Sequence, residues 1–376
     1  MTTPDAEGTA AGVGGTVRQF PCERCGAKVT FAPGTSALRC PYCGNETHIP
    51  ATSDGIAELD FQAAAFDRLG DDAETEDVSS VRCTSCGALV EPSPSHEAFP
   101  CPYCGSSIVA QATSQRLIKP QALLPFRIDK NEARKLFRTW IAKLWFAPDA
   151  LRKLARVEGR LQGLYAPYWT YDSDTRSRYT GQRGDNYAVT KTRTVTRDGK
   201  RVTERYQDVE VRWRPAFGAV TRNFDDMLVV GSRSLPRDLA EELEPWDLEG
   251  LRSYADEYLS GFTAERYQVD VREGWARAQE RMDAVIRGDV NRDIGGDHQR
   301  ILTLSTTHDN VTFKHVLLPM WICSYRYKER IYRFLINART GEVQGQRPWS
   351  WVKITLTTLF VAAVAFLLYA YFGGQG

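Results

Sequence analysis

Cysteine has the most informative spacing of any residue type in this chain, and eight of the nine cysteines fall into two copies of one pattern. Each copy reads C-x2-C-x14-C-x2-C, and the stretch CPYCG occurs in both. Four thiolates in two C-x2-C pairs bind one ion tetrahedrally, with sulfur-to-metal distances of about 2.3 Å. The pattern therefore predicts two closed, structural metal sites. Their ligands are Cys22, Cys25, Cys40, Cys43, Cys83, Cys86, Cys101 and Cys104.

Zinc is the metal that this ligand set favours, because structural zinc sites are commonly built from four cysteines. Iron in a rubredoxin-type site has the same geometry and is the alternative. Disulfides are disfavoured because the first residues, MTTPDAEGTAAGVGG, lack the charged and apolar regions of a signal peptide. A glycine follows each cysteine pair, where a positive φ lets the chain turn back toward the ion. Each copy is expected to form a rubredoxin-like ribbon around one Zn²⁺.

The net charge of +1 hides a strong asymmetry along the chain. Residues 1–110 contain six Lys and Arg against fifteen Asp and Glu, whereas the remainder is basic. Nucleic-acid binding requires clustered Lys and Arg that face phosphate. The first ribbon offers four such residues and the second offers Arg82 alone. Nucleic acid is therefore a disfavoured partner for the ribbons, and protein partners are favoured.

An uncharged apolar stretch runs from Ile354 to Phe372. As a helix of nineteen residues it would measure about 28 Å, which matches the hydrocarbon core of a bilayer. Tryptophans and tyrosines flank it, as is typical of interfacial anchors. Arg347 and Lys353 precede it, so the positive-inside rule predicts that the rest of the chain lies in the cytoplasm. The chain is thus expected to be a tail-anchored protein that faces the cytoplasm.

The residues between the ribbons and the anchor predict an α+β domain with an antiparallel sheet. Amphipathic spacing predicts a helix over Lys130–Phe146, with a further short helix from Pro148 to Val157. Alternating residues predict a hairpin that turns at Asp198-Gly199 and is mostly polar on both faces, which favours a hairpin that projects from the body. A long helix is expected from Glu265 to Arg287, followed by strands with a turn at Thr340-Gly341.

These patterns divide the chain into six parts. They are a disordered N-terminus (1–17), zinc ribbon 1 (18–48), an acidic linker with a short helix over Leu59–Leu69 (49–79), zinc ribbon 2 (80–110), a cytoplasmic α+β domain (111–347) and a C-terminal membrane anchor (348–376, with its span at 354–372).

No residue pattern predicts catalysis, so the chain is not expected to be an enzyme. His298, His308 and His315 lack a partnered nucleophile or metal-ligand spacing, and no G-x4-G-K-[ST] loop is present. Asp172 and Asp174 stand near several arginines, which favours a solvated turn over a carboxylate site. Cys323 lies in an apolar run and is expected to be a buried small hydrophobe. The use of the α+β domain stays open.

Several longer motifs carry a resemblance that covers nearly the whole chain. They are the two CPYCG ribbons, IKPQALLPF, LQGLYAPYWTYDSDTRSRYTGQRGDNY, GFTAERYQVD, DIGGDHQRI, TFKHVLLPMW and INARTGEVQGQRPWSWVKI. Together they resemble bacterial TFIIB-type double zinc-ribbon membrane proteins of the YdjG-like kind. Members are often labelled primosomal protein N′ or DNA helicase, a label that implies a phosphate-binding loop absent from this chain.

The resemblance implies a role rather than a reaction. Such relatives are associated with membrane-stress systems, alongside phage-shock-type and flotillin-like proteins. It therefore implies an adapter that recruits cytoplasmic or membrane-associated proteins to the cytoplasmic face of the bilayer, in a bacterial cytoplasmic membrane, and it carries over only the eight cysteine ligands. A membrane-tethered nucleic-acid-binding protein linked to DNA replication is the alternative, based on the basic C-terminal half. An enzyme is the third hypothesis, supported only by an α+β domain of unassigned use.

Overall fold

The computed structural model describes residues 20–50, 55–65, 75–85, 87–90, 98–101, 103–104, 106–109, 113–146, 148, 161–197, 200–327 and 330–373. Several sequence predictions fall outside these ranges. They are the disordered segment 1–17, residues 66–69 of the short helix, the ligand Cys86, residues 149–157 of the second short helix and the hairpin turn at Asp198-Gly199.

The fold is α+β, as the sequence predicts, and its sheets are mainly antiparallel. The α-helices are α1 (Phe61–Ala65), α2 (Lys130–Lys143), α3 (Arg237–Glu241), α4 (Val271–Ile294) and α5 (Trp351–Gly373). The first ten strands are β1 (Thr30–Phe31), β2 (Ala37–Arg39), β3 (Glu46–His48), β4 (Leu59–Asp60), β5 (Thr75–Arg82), β6 (Leu89–Val90), β7 (Ala98–Pro100), β8 (Ser107–Val109), β9 (Thr113–Ile118) and β10 (Ala122–Leu123). The others are β11 (Gln162–Arg197), β12 (Lys200–Val230), β13 (Arg252–Ser253), β14 (Thr263–Ala264), β15 (His298–Tyr327), β16 (Arg330–Asn337) and β17 (Val343–Gly345).

Three long strands dominate the central sheet, whose main order is β12-β11-β15-β10-β13. β11 pairs antiparallel with β12 on one side and with β15 on the other. The β16 strand extends the sheet at the end where β11 begins. Buried aromatic rings fill the core there, including Trp169, Tyr165 and Phe313. The predicted strands of the C-terminal part are confirmed, and the chain turns at Thr340-Gly341, where Gly341 has φ 86°.

The far half of these strands forms an arm, which we define as residues 174–197 of β11, 200–223 of β12 and 298–309 of β15. The arm has three strands as far as the pair Gly184 and His298, and two strands beyond it. At about 3.3 Å per residue, the 36 residues of β11 extend over roughly 120 Å of chain. The predicted hairpin is confirmed, with register through the pair Arg197 and Lys200.

Helix α4 covers one face of the arm. Asp270 caps it by accepting hydrogen bonds from the N–H groups of Arg272 and Glu273. Its buried residues recur every three or four positions, which gives it one apolar stripe against the sheet. Gly274 lies against the hydroxyl of Tyr171, which an added Cβ would approach to 2.3 Å. The predicted helix from Glu265 to Arg287 is present, but it begins at Val271, directly after the capping residue Asp270, and it ends at Ile294.

The short helix and the acidic stretch differ from their predictions. Leu59–Asp60 form a strand that pairs with β15, and α1 begins only at Phe61. The stretch that follows the helix is predicted to be solvated, but its last residues form part of β5. This strand pairs with β9 from Thr75 to Ser80. The polar and acidic composition of these residues does not predict a strand. The strand depends on pairing with β9, which lies about forty residues farther along the chain. The boundaries between the predicted domains stay predictions.

Helix α5 contains the one candidate membrane span among the described residues. Its segment Trp351–Tyr371 has a mean hydropathy of 2.0 and no buried residues. Ser350 precedes it and accepts a hydrogen bond from the backbone N–H of Ile354. By length and composition this helix could cross a membrane. The predicted helix over Lys130–Phe146 is also present, and it ends at Lys143.

Candidate metal centres

The two cysteine patterns are held by one repeated backbone unit, the knuckle, which consists of a C-x2-C pair and the glycine after it. The N–H of the first cysteine donates to the carbonyl oxygen five residues later. These bonds are Cys22 to Ala27, Cys40 to Asn45, Cys83 to Ala88 and Cys101 to Ser106, at 2.7 to 2.9 Å. Three knuckle glycines lie in the described residues, and their φ angles are 72°, 73° and 78°. The prediction of positive φ is confirmed at Gly26, Gly44 and Gly87.

The first cluster brings all four of its predicted ligands together. The sulfur atoms of Cys22, Cys25, Cys40 and Cys43 lie within 4.8 Å of one another. The sulfurs of Cys22 and Cys43 are 3.6 Å apart, and those of Cys25 and Cys40 are 3.5 Å apart. A tetrahedron with sulfur-to-metal distances of about 2.3 Å has sulfur-to-sulfur edges of about 3.8 Å. The donor set therefore fits one tetrahedral ion without rearrangement of the backbone.

Backbone dipoles in the first cluster also favour a thiolate. The N–H of Cys43 is directed at the sulfur of Cys40 and, against the opposing effect of burial, lowers the pKa of that thiol to about 6. Although the N–H of Ala27 lowers the pKa of Cys25, the sulfurs of Cys40 and Cys43 raise it to about 12. Four adjacent sulfurs thus cannot all ionise alone, and a cation is needed to hold them as thiolates.

The second cluster has the same arrangement as far as the structure describes it. Cys83, Cys101 and Cys104 form a group whose sulfurs lie within 4.8 Å of one another. The sulfurs of Cys83 and Cys104 are 3.6 Å apart, which equals the corresponding distance in the first cluster. The fourth predicted ligand, Cys86, lies outside the described residues. Both clusters therefore could hold a metal ion.

The first cysteine unit, residues 20–50, is fixed to the sheet by its strands. The N–H of Phe31 donates to the carbonyl oxygen of Ser260 at 2.9 Å, and the hydroxyl of Ser260 donates to the carbonyl oxygen of Val29 at 2.8 Å. The ring of Phe31 packs against Tyr258, with 5.2 Å between ring centroids. In its second knuckle, Cys40 is buried in the core shared with the sheet, whereas the ring of Tyr42 is 83% exposed.

The second unit, comprising the described residues from 75 to 118, is attached through its second knuckle instead. Tyr103, the counterpart of Tyr42, is 0% exposed. Its carbonyl oxygen accepts hydrogen bonds from the hydroxyl of Ser324 and from Nε of Arg333, the latter at 3.1 Å. The cluster residues pack with Leu164 and other residues of the central sheet in one apolar core. The tyrosine of CPYCG is thus buried against the sheet in the second unit and exposed in the first.

The carboxylates at Asp172 and Asp174 do not lie in a solvated turn, and that prediction is wrong. Both lie within β11, where the sheet pairs them with asparagine and lysine side chains. The ammonium of Lys314 lies 2.8 Å from an oxygen of Asp226 and 4.0 Å from Asp172. Burial raises the pKa of Asp172 to about 6. Asp172, Asp225 and Asp226 are close enough to hold a cation, but the lysine already supplies the local positive charge.

The histidines occupy three different environments. His298 pairs with the side chain of Asn186 at 3.0 Å on the arm. His308 lies beside Trp275, and burial lowers its pKa. His315 is fully buried with Nδ1 3.0 Å from the carbonyl oxygen of Ile118, and burial lowers its pKa to about 3. The predicted burial of Cys323 is confirmed.

Comparison with known proteins gives one relative and no family. No protein-family model matches the chain, and no solved structure matches it. The chain is similar to the uncharacterized protein YdjG of Bacillus subtilis (strain 168), with 27% identity over 351 residues. The match covers 93% of this chain and 95% of the relative, so the two proteins correspond over nearly their whole lengths.

Proposed function

We propose that this protein is a membrane-anchored, non-enzymatic adapter that recruits an acidic protein partner through its β arm. The observation that carries the proposal is the open face of the arm, defined as the side chains that point away from helix α4. From position 176 outward, that face is long, solvent-exposed and free of carboxylates among its described side chains. The metal clusters and the apolar helix support the proposal by giving the chain a rigid body and an attachment point.

The two cysteine clusters are proposed to be rubredoxin-like zinc ribbons with a structural role. All four ligands of the first cluster converge, which leaves no position open for substrate. Zinc is favoured over iron because thiolate clusters of this geometry need no redox function to stabilise a fold. The reduced thiolates that bind zinc also favour the cytoplasm. Helix α5 is proposed as the span that holds the protein at the cytoplasmic face.

The arm has two chemically different faces because strand residues alternate sides. On the face that α4 shares, carboxylates and cations form pairs. Lys191 lies 2.7 Å from Asp208 and 2.9 Å from Glu210, and Arg193 lies 3.4 Å from Glu204. We refer to this face as the ion-pair face. Between positions 183 and 214 its described side chains include four carboxylates and six Lys or Arg, so most of its positive charge is neutralised locally, unlike that of the open face.

The open face instead carries arginine, threonine and exposed apolar residues. From position 176 outward its arginines are Arg176, Arg178, Arg201, Arg205 and Arg300, and none of its described side chains is a carboxylate. Phe217 is 81% exposed, and Val209 is also largely exposed. The guanidinium of Arg300 stacks on the ring of Trp213 at 3.9 Å. Val209 and Trp213 are apolar exceptions in a hairpin that the sequence predicts to be mostly polar on both faces.

This composition favours a protein partner over a nucleic acid. Protein interfaces are enriched in aromatic residues and arginine and depleted in Lys, Glu and Asp. The five arginines spread over roughly 65 Å of strand, or about one per 13 Å, whereas a nucleic-acid strand carries a phosphate about every 3.4 Å. An acidic and partly apolar protein surface would match this face in charge and in chemistry. Two open faces would repel each other, which disfavours a second copy as the occupant.

Site-specific photo-crosslinking in cells that naturally produce the full chain tests the proposal. A benzophenone amino acid replaces Phe217 on the open face or Tyr187 on the ion-pair face, and crosslinked peptides are identified by mass spectrometry. We expect one protein to be captured from position 217, through an acidic segment, and little from position 187. The double substitution Arg178→Glu and Arg300→Glu should abolish that product by reversing the local charge.

Two outcomes would overturn the adapter proposal. Capture of DNA or RNA at position 217 would establish the nucleic-acid alternative. Equal capture at both positions, or capture that survives the charge reversal, would show that the open face selects no partner. Circular dichroism and metal content of each variant serve as the controls for folding.

A further inference from the structure

Aromatic residues from two distant parts of the sequence lie on neighbouring segments where helix α5 begins. Trp145 and Phe146 follow the end of α2, while Trp349 and Trp351 lie at the start of α5. The backbone N–H of Ser350 donates to the carbonyl oxygen of Phe146 at 2.8 Å. This bond fixes the two segments side by side, so the end of α2 lies at the level where the apolar helix starts.

The exposure of these rings is unusual for tryptophan in this molecule. Trp145 is 70% exposed, and Trp349 and Trp351 are exposed as well, whereas Trp169 and Trp321 are buried in the core. Tryptophan combines an apolar body with one N–H donor and prefers the boundary between a bilayer and water. The boundary between bilayer and water is therefore a favourable environment for an exposed tryptophan beside a candidate span.

The charges around this aromatic group fit anionic headgroups. The described residues 138–146, 148 and 345–353 contain the cations Arg138, Lys143, Arg347 and Lys353 and no Asp or Glu. The guanidinium of Arg347 lies 4.5 Å from the ring centroid of Trp349. Basic residues next to a span attract anionic lipid, and long basic side chains can extend to the headgroups while the rings lie deeper.

We infer that residues Lys143–Phe146 form a second contact with the bilayer interface, apart from the span itself. The inference rests on the proposed membrane span of α5. A single helix after a short connection would let the body of the protein pivot. A second contact at the end of α2, joined to the span by the Ser350 hydrogen bond, fixes the tilt of the body relative to the membrane.

Photo-crosslinking to lipid tests this contact on the full chain in nanodiscs of phosphatidylcholine and phosphatidylglycerol. A benzophenone amino acid replaces Trp145, Trp351 or Tyr42 in separate variants. We expect a mass increase of one phospholipid at positions 145 and 351, and none at the distant exposed position 42. Lipid adducts at 351 but not at 145 would overturn the second contact and leave the anchor intact. Adducts at neither position would overturn the proposed span.

Fluorescence quenching by brominated lipids gives an independent readout. Three of the nine tryptophans lie in the proposed interface, so Trp145→Phe should remove about a third of the quenched emission. Trp213→Phe, on the arm, serves as the matched control and should leave the quenched emission unchanged. Unchanged quenching in Trp145→Phe, or an equal loss in both variants, would contradict the inference.

Discussion

Tyr42 and Tyr103 occupy the same position in two copies of CPYCG, and their different burial predicts different costs of truncation. Tyr103→Ala removes a ring that is fully enclosed between the second cluster and the central sheet. Tyr42→Ala removes a ring that lies in solvent. Because the local sequences match, the second variant controls for any effect of the substitution on the knuckle itself.

The expected magnitudes follow from this burial. Truncation of a large buried aromatic side chain costs about 3 to 5 kcal/mol, through lost apolar contacts and the cavity that remains. An exposed ring contributes within about 0.5 kcal/mol. At about 2 to 4 °C per kcal/mol, Tyr103→Ala should lower the unfolding temperature by on the order of 10 °C. Tyr42→Ala should leave it within about 2 °C of the parent chain.

Thermal unfolding of the full-length, metal-loaded protein in detergent, followed by circular dichroism of the sheet, measures the difference. Metal content determined by mass spectrometry before heating confirms that both variants start from the same state. Equal losses in the two variants would refute the assignment of Tyr103 as a contact between the cluster and the sheet. A neutral effect of Tyr103→Ala would refute it as well.

Three other predictions concern metal, pH and packing. Cys40→Ser and Cys101→Ser should each lower bound zinc from two ions to one per chain, measured by mass spectrometry after gel filtration, because each removes a ligand from a different cluster. Asp172→Asn should raise the unfolding temperature relative to the parent chain more at pH 7 than at pH 4, because burial raises the pKa of Asp172 to about 6. Gly163→Ala should destabilise the protein by about 1 to 3 kcal/mol in denaturant titrations, since its Cβ would lie 2.3 Å from the ring of Phe262.

The sign of the pH effect follows from proton linkage. The ordinary pKa of this carboxyl group is 3.8 and the folded value is about 6, so the folded state binds the proton more tightly. The resulting stability is fully present below pH 3.8 and is lost as pH rises through 6. Asparagine cannot titrate and lacks this loss. A temperature difference between variant and parent that stays constant with pH would contradict the assignment.

The cysteine spacing predicted the chemistry of the clusters because ligand geometry is local. A C-x2-C pair with a following glycine encodes its own turn, and the three described knuckle glycines have positive φ as expected. The length of the uncharged apolar segment likewise predicted a candidate span. Length and hydropathy can be read from the sequence without any knowledge of tertiary contacts. Both features depend on residues that are close together in the sequence.

The position of the clusters against the sheet could not be predicted in the same way. Nothing within CPYCG distinguishes Tyr42 from Tyr103, because the difference arises from Ser324 and Arg333, which lie more than two hundred residues away. The carboxylate at Asp172 was misassigned for the same reason. Its partners Asp226 and Lys314 belong to neighbouring strands of the sheet. The residues next to Asp172 in the sequence therefore do not predict its contacts, because the strand register places residues from distant parts of the chain beside it.

The shared cores show that each cysteine unit packs against the central sheet. Val29, Phe31 and Leu38 of the first unit belong to one buried cluster with Phe126 and other sheet residues. The second unit joins another part of the same sheet through a separate cluster. A ribbon of this size cannot bury enough apolar surface alone, and here the sheet supplies what metal would otherwise have to provide. Any metal ion that the clusters bind is therefore coupled to folding of the sheet at two places, because cysteines of each cluster are buried in a core shared with the sheet.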